Sequence, residues 1–202
     1  MLVSKKLSRV MLATVICMAV AFLIAFIFVL KFQRPIKDDL KKNDTQEQNQ
    51  VSSSGLPVRL KIPAIEVDAA VEQVGLTPAG AMDTPKGPAD VAWFNLGQRP
   101  GGSGTAVIAG HYGTWKNGSG SVFDNLHKLH VGDKIYMEDD KGATVTFAVR
   151  EIRNYDPQAD AAEVFSSNDE QSHLNLITCK GAWNKDAKSY SQRLVVFADK
   201  EQ

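Results

Sequence analysis

The residues of this 202-residue chain best suited to chemistry are Cys179, His111 and Arg193. Cys179 directly follows a short apolar run, His111 follows another after one glycine, and Arg193 opens a third. Apolar runs of this length predict buried strands, so all three side chains are expected at strand tips that a substrate can reach. A thiol, an imidazole and a guanidinium in such positions are the parts of a thiol acyl-transfer site.

Each of these side chains has a distinct role in such a reaction. Cys179 would be the nucleophile, which reacts as a thiolate and therefore needs a positive neighbour. His111 would be the general acid and base, because histidine titrates near neutral pH and can protonate a departing amine. Arg193 offers a planar fork of donors to a substrate carbonyl or a developing oxyanion. Taken singly, each also has an ordinary structural interpretation: a buried cysteine, a turn histidine and a surface ion pair.

Alternation along the two C-terminal runs decides whether the thiol and the guanidinium can meet. Side chains two residues apart share a face, which groups Cys179 with Ile177 and places Arg193 on one face of the second run. If the two strands pair with these faces aligned, sulfur and guanidinium converge. We expect Ile177 and Thr178, before the thiol, to bind substrate. Trp183, in the expected loop after the thiol, would either form a wall of the substrate groove or anchor that loop.

The other histidines and the acidic cluster are weaker candidates. His127 and His130 lie in residues 121–130, whose apolar spacing predicts a helix, and we expect both on its solvated face. They have no obvious further ligand, so the sequence predicts no metal site and no cofactor. His173 precedes a strand and is not assigned the role of base. Residues 138–140, all acidic, predict a polar hairpin tip rather than a calcium site.

Composition divides the chain into four parts. Residues 10–30 form an uncharged apolar run long enough to cross a bilayer, which predicts a transmembrane signal-anchor behind a short tail of residues 1–9. Residues 31–55 are polar and predict a flexible tether, and residues 56–199 form the folded domain. The formal net charge of +0 predicts no attraction to nucleic acid. Flanking charges do not determine orientation, but the short tail makes the domain the expected extracellular cargo.

Short β-type runs dominate the folded domain. Gly, Pro, Asn or Asp marks the ends of most of them, and residues 140–142 predict a hairpin turn. Besides residues 121–130, only residues 160–165 are expected to form a short helical turn. Many strands with few helices predict an all-β, closed or nearly closed barrel. The expected strands are residues 58–62, 67–73, 105–109, 134–138, 144–152, 174–178 and 194–198.

Over roughly residues 60–197 the chain resembles the sortases, cysteine transpeptidases of the Gram-positive cell surface. A strand-borne His, then Thr-Cys, then Arg, in this order, is the specific part of the resemblance. Sortases commonly carry Thr-Leu-x-Thr-Cys, whereas this chain has Asn-Leu-Ile-Thr-Cys. The segments that carry the resemblance are Leu60-Lys61-Ile62-Pro63-Ala64-Ile65, Val67-Asp68, Trp93-Phe94, Ala109-Gly110-His111, Leu176-Ile177-Thr178-Cys179 and Arg193.

The resemblance implies a closed sortase-type β-barrel of about eight strands and a membrane-anchored thiol transpeptidase. It implies cleavage of an LPxTG-like sorting signal after Thr through a thioacyl-enzyme on Cys179. It also implies transfer of the surface protein to an amine of peptidoglycan, of its lipid-linked precursor, or of a pilin lysine. The tether lacks an Asp-Pro-aromatic lid, so wall attachment is favoured over pilus building, and the segments resemble class D, E and F sortases most.

Other functions remain open from the residues alone. An L,D-transpeptidase or a papain-like peptidase would also use a cysteine and a histidine, although the short His-Gly-Cys-Arg motif of the former is missing. A membrane-tethered β-barrel binding module with an incidental thiol is the non-catalytic alternative. Thiol labelling that depends on His111 would distinguish an enzyme from such a module.

Overall fold

A computed structural model describes residues 55–202. Within them, eight strands form one closed barrel in the order β1-β2-β3-β4-β7-β8-β6-β5. Two neighbouring pairs, β2 with β3 and β4 with β7, are parallel, and the other pairs are antiparallel. The strands are β1 (Pro57–Ile62), β2 (Val67–Val74), β3 (Val91–Phe94), β4 (Gly104–Gly110), β5 (Lys134–Asp139), β6 (Thr144–Tyr155), β7 (Ser172–Asn184) and β8 (Ser189–Lys200).

The barrel interior is filled by alternate side chains of the strands. Leu174 and Leu176 of β7 and Leu194 and Val196 of β8 point inward and are buried. The residues between them are buried too, because the outer face of β7 and β8 is covered by the helix α1 (Ala162–Phe165) and its flanking loops. Because both faces of these two strands are buried, their sequences are continuous apolar runs rather than alternating apolar and polar residues.

The barrel confirms the predicted fold class, and the expected strands are all present. The hairpin turn at residues 140–142 joins β5 to β6, and α1 lies within residues 160–165. The sequence analysis missed β3, which is only four residues long and follows a stretch rich in Gly and Pro. The predicted signal-anchor and nearly all of the tether lie outside the described residues. Among residues 55–202, no helix has the length and apolarity needed to cross a membrane.

The prediction of a helix over residues 121–130 was wrong. This segment consists of turns and one short 3₁₀ helix, Leu126–Lys128, although its apolar residues Phe123, Leu126 and Leu129 are buried as a helical face would be. Its backbone hydrogen bonds join residues three apart, which is 3₁₀ rather than α geometry. The Asp124 carboxylate accepts the backbone N–H of Ser121, which competes with regular helix formation.

Candidate active site

A cleft of about 670 Å³ lies on the outer face of β4, β7 and β8. Cys179, His111 and Arg193 all line it. The segment between β2 and β3 forms one wall and the residues around α1 form the opposite wall. Its lining is mostly apolar, with contributions from Leu76, Met82, Phe94, Ala109, Val164, Phe165, Ile177 and Val195.

Cys179 and Arg193 face each other directly across the β7–β8 pair. The same register places Ile177 opposite Val195, so the two outward faces are aligned as the alternation required. Burial raises the pKa of the Cys179 thiol above its ordinary value, and the positive charge of Arg193 opposes this rise only in part. The resting thiol is therefore largely protonated at neutral pH and depends on a proton acceptor for reaction.

The Arg193 guanidinium is held along its own strand. Its Nη1 donates to the backbone carbonyls of Gln192, at 3.2 Å, and Tyr190, at 3.4 Å. No carboxylate forms a salt bridge with it among residues 55–202. A guanidinium that is held only by neutral carbonyls keeps its charge available to an oxyanion beside the thiol.

His111 follows β4 and is held by two contacts. Its Nε2 lies 2.7 Å from the backbone oxygen of Pro85, and its ring centroid lies 4.9 Å from that of Trp115. A carbonyl oxygen can only accept, so Nε2 carries the hydrogen and the neutral ring has its lone pair on Nδ1. Of the two ring nitrogens, Nδ1 is therefore the one left free to accept a proton.

Thr178 links the thiol strand to the histidine strand. Its Oγ1 donates a 2.7 Å hydrogen bond to the carbonyl of Gly110, the residue before His111. The side chain is 3% exposed, and the residue contributes to the wall of the cleft. The hydroxyl is therefore occupied by this hydrogen bond. The predicted contact of Thr178 with substrate would be made by its other atoms.

The other two predicted substrate-binding residues occupy different places. Ile177 lines the floor of the cleft, half-buried between β4 and β8. Trp183 lies in the extended part of β7 rather than in a loop, is 52% exposed and is not among the residues lining the cleft. Its ring packs edge-on against Tyr190, 5.1 Å between centroids, and Tyr190 packs in the same way against Tyr112.

The remaining histidines lie apart from the cleft lining. His127 and His130 are exposed, as predicted. His173 is buried near the start of β7, where its two ring nitrogens each lie 2.7 Å from a carboxylate, Asp169 on one side and Asp199 on the other. Burial alone would lower the pKa of His173, but these hydrogen bonds outweigh it and raise the pKa. His173 thus holds the chain after α1 against β8.

The acidic hairpin tip uses its oxygens on backbone groups. The Asp139 carboxylate accepts N–H groups of Gly55, Lys141 and Ala143, at 2.8 to 3.0 Å. Burial alone would raise the pKa of Asp139, and these N–H donors lower it. Within residues 55–202, no three His, Cys, Asp or Glu side chains are grouped so as to hold a metal ion.

Sequence reasoning missed the groups that surround His111. Pro85 and Trp115 lie in irregular segments, where no periodic pattern marks them. The one local signal was Gly113, which has a φ of +91° and where any side chain would collide with the Tyr190 hydroxyl. The sequence shows a glycine at this position, but only the structure shows that Tyr190 requires it.

Comparisons with known proteins indicate the family and the fold of this chain. The sortase domain family matches residues 60–201. Sortase C-1 of Actinomyces oris is similar in structure, with 25% identity and a TM-score of 0.57 over 72% of this chain and 75% of that one. A lid mutant of sortase A from Corynebacterium diphtheriae shows 22% identity and a TM-score of 0.57 over 76% and 74%. A sortase D5 transpeptidase of Clostridium perfringens shows 22% and 0.53 over 73% and 79%. A comparison with curated proteins found no match.

Proposed function

The chain belongs to the sortase family of cysteine transpeptidases, and from that premise we propose that it joins surface proteins to a cell-wall amine. Its substrate would be an LPxTG-like sorting signal, cleaved after Thr. The observation that carries the proposal is the direct pairing of Cys179 with Arg193 on the floor of a cleft that also contains His111.

In the first half-reaction, the Cys179 sulfur attacks the Thr carbonyl carbon while Nδ1 of His111 takes the thiol proton. The carbonyl oxygen becomes an oxyanion, which the Arg193 guanidinium stabilises with charge and directed donors. As the intermediate collapses, the peptide C–N bond breaks and His111 returns its proton to the departing amine. The products are a thioester on Cys179 and a free C-terminal fragment.

In the second half-reaction, an amine of peptidoglycan or of its lipid-linked precursor attacks the thioester. His111 accepts the proton that the amine loses, and Arg193 again faces the oxyanion. The C–S bond then breaks, a new amide bond forms, and the sulfur is reprotonated. The exchange needs no separate energy source, because the peptide bond that breaks and the amide that forms are of similar energy.

The lining of the cleft supports this substrate class. A Leu-Pro segment is apolar and offers few hydrogen-bond donors, so it favours a groove such as the one that Leu76, Phe94 and Val195 line. The floor of the groove belongs to three barrel strands, and its walls come from the segments between strands, including α1.

The predicted signal-anchor at residues 10–30 determines where in the cell we propose that the enzyme acts. An anchor would hold the catalytic domain at the outer face of the cell membrane, with residues 31–55 as its tether. This position is where sorting signals emerge and where lipid-linked amines are found. Protease added to intact protoplasts should cut the tether, and full protection of it would contradict this orientation.

The test uses the full chain in detergent with a panel of Leu-Pro-x-Thr-x peptides and a small amine, with products read by mass. We expect cleavage after Thr, amide formation with the amine and a thioacyl adduct on the protein. Cys179→Ala should abolish all three, whereas Cys17→Ala, the matched removal of the other cysteine, should change none. Cleavage by the Cys179→Ala variant, or no cleavage of any panel peptide by the native chain, would contradict the proposal.

A further inference from the structure

One peptide unit connects a barrel carboxylate to the imidazole. The backbone N–H of Lys86 donates to both carboxylate oxygens of Glu72, at 3.2 and 3.4 Å. The carbonyl of the same peptide unit, that of Pro85, lies 2.7 Å from Nε2 of His111. The two ends of this peptide are therefore occupied by a carboxylate and by the imidazole.

We propose that Glu72 is a positioning residue for His111 and acts through the Pro85–Lys86 peptide. The inference rests on the proposed function, in which His111 transfers the proton. A carboxylate on the N–H side of a peptide polarises its carbonyl and makes that carbonyl a stronger acceptor. Glu72 would thus do through one peptide what a carboxylate does by direct contact in other catalytic histidine sites.

The Glu72 carboxylate ties the peptide that contacts His111 to a barrel strand. Glu72 is half-buried on β2 and pairs in register with Ala92 of β3, so its backbone belongs to the barrel. Pro85 is buried in the irregular segment between these strands, which is also held by a backbone hydrogen bond from Val122 to Pro88. Of the hydrogen bonds to this segment, the one from Lys86 to Glu72 is made by the same peptide whose carbonyl contacts His111.

The aromatic neighbour Trp115 cannot replace this hydrogen bond. Its ring packs against His111 with centroids 4.9 Å apart and planes inclined by 51°, and such a non-directional contact leaves the imidazole free to turn within its own plane. Only a directional bond determines which nitrogen faces the cleft and which is turned away. If the bond to Pro85 weakens, the proton can sit on Nδ1, and the ring then cannot accept the Cys179 proton.

Kinetics of three full-length variants separate this role from a general structural one. Glu72→Ala removes the acceptor and should lower kcat about 10-fold at nearly unchanged KM, within the roughly 10²–10⁴-fold that complete loss of proton transfer costs. Glu72→Gln keeps an acceptor for the Lys86 N–H but loses the charge that polarises the peptide, so it should restore kcat only in part. Asp68→Asn removes a carboxylate from the same strand, one paired with Arg59, and should match the native enzyme.

The nitrogen shifts of ¹⁵N-labelled histidine test the same inference without activity. In the native chain the signal of the neutral His111 ring, assigned by its loss in His111→Ala, should report hydrogen on Nε2 and a free Nδ1. Glu72→Ala should introduce the Nδ1–H tautomer, and Asp68→Asn should not. An unchanged tautomer together with unchanged kcat in Glu72→Ala, or a change in KM alone, overturns the inference.

These outcomes also distinguish the inference from the proposed function. If the native chain transfers peptides and Glu72→Ala does so equally well, only the role of Glu72 is refuted. If the native chain transfers no peptide, the proposed function fails, and the histidine spectra still show whether Glu72 controls the His111 tautomer.

Discussion

Replacing Thr178 by valine removes one hydroxyl at the junction of the two strands that carry the thiol and the imidazole. The hydroxyl donates to the Gly110 carbonyl at 2.7 Å, and the side chain is 3% exposed. Valine has nearly the same volume as threonine, so the substitution leaves no sizeable cavity. Its effect therefore comes from the lost hydrogen bond and from a carbonyl left without this donor.

Loss of a buried hydrogen bond with one partner retained costs about 1–3 kcal/mol. For a chain of this size each kcal/mol shifts Tm by about 2–4 °C, so Thr178→Val should melt roughly 2–12 °C below the native protein. Because Gly110 directly precedes His111, the loosened carbonyl also displaces the imidazole. We expect kcat to fall by about 10-fold, a small part of the roughly 10²–10⁴-fold contribution of the general acid and base.

Thermal unfolding and steady-state transpeptidation of the full chain measure both effects. Thr178→Ser is the matched control, because it keeps the hydroxyl and removes only the methyl group. The serine variant should retain most of kcat while losing some stability through poorer packing. Equal kcat in the native and valine variants, or equal losses in the valine and serine variants, would refute the role of the Thr178–Gly110 bond.

Arg193→Lys should lower turnover by about 10²–10³-fold, because one point charge cannot replace a planar fork of donors, while the thiol remains open to alkylation; near-normal turnover would reduce the arginine to a source of charge. His173→Gln should destabilise the fold most below pH 6.5, the ordinary pKa of histidine, because burial lowers the pKa of His173 but its hydrogen bonds to Asp169 and Asp199 outweigh burial and raise the folded-state pKa. This difference should shrink as pH rises through the folded-state value, and urea unfolding at several pH values measures it. His127→Ala should leave transpeptidation unchanged, since its exposed ring lies away from the cleft; a large loss would move the base to that segment.

Seven of the eight barrel strands, and the strand faces that carry Cys179 and Arg193, were predictable because period-2 alternation and apolar runs are local signals. Cys179 and Arg193 each end or begin an apolar run, and their faces follow from counting residues in twos. Which strands are neighbours does not follow from counting. β8 lies between β6 and β7, and this order depends on contacts distant in sequence.

The errors and omissions in the sequence analysis have a common physical cause. The segment 121–130 has helical spacing. The hydrogen bond of the Asp124 carboxylate and the short backbone turns instead stabilise a non-α conformation that buries the same apolar residues. The contact of Pro85 with His111 joins residues 26 apart through a backbone carbonyl, which no side-chain pattern encodes. Tertiary contacts of this kind override or escape local propensity.

The strand order has a consequence for biogenesis. β8 is the last strand along the described chain, yet it has a neighbour on both sides, so the barrel stays open at two seams until β8 enters. Cys179 faces Arg193 only across that final pairing. A partly translocated chain therefore carries its thiol without the guanidinium beside it, and the reactive pair forms only with the closed barrel. The pair of Cys179 and Arg193 is therefore assembled in the same step that closes the barrel.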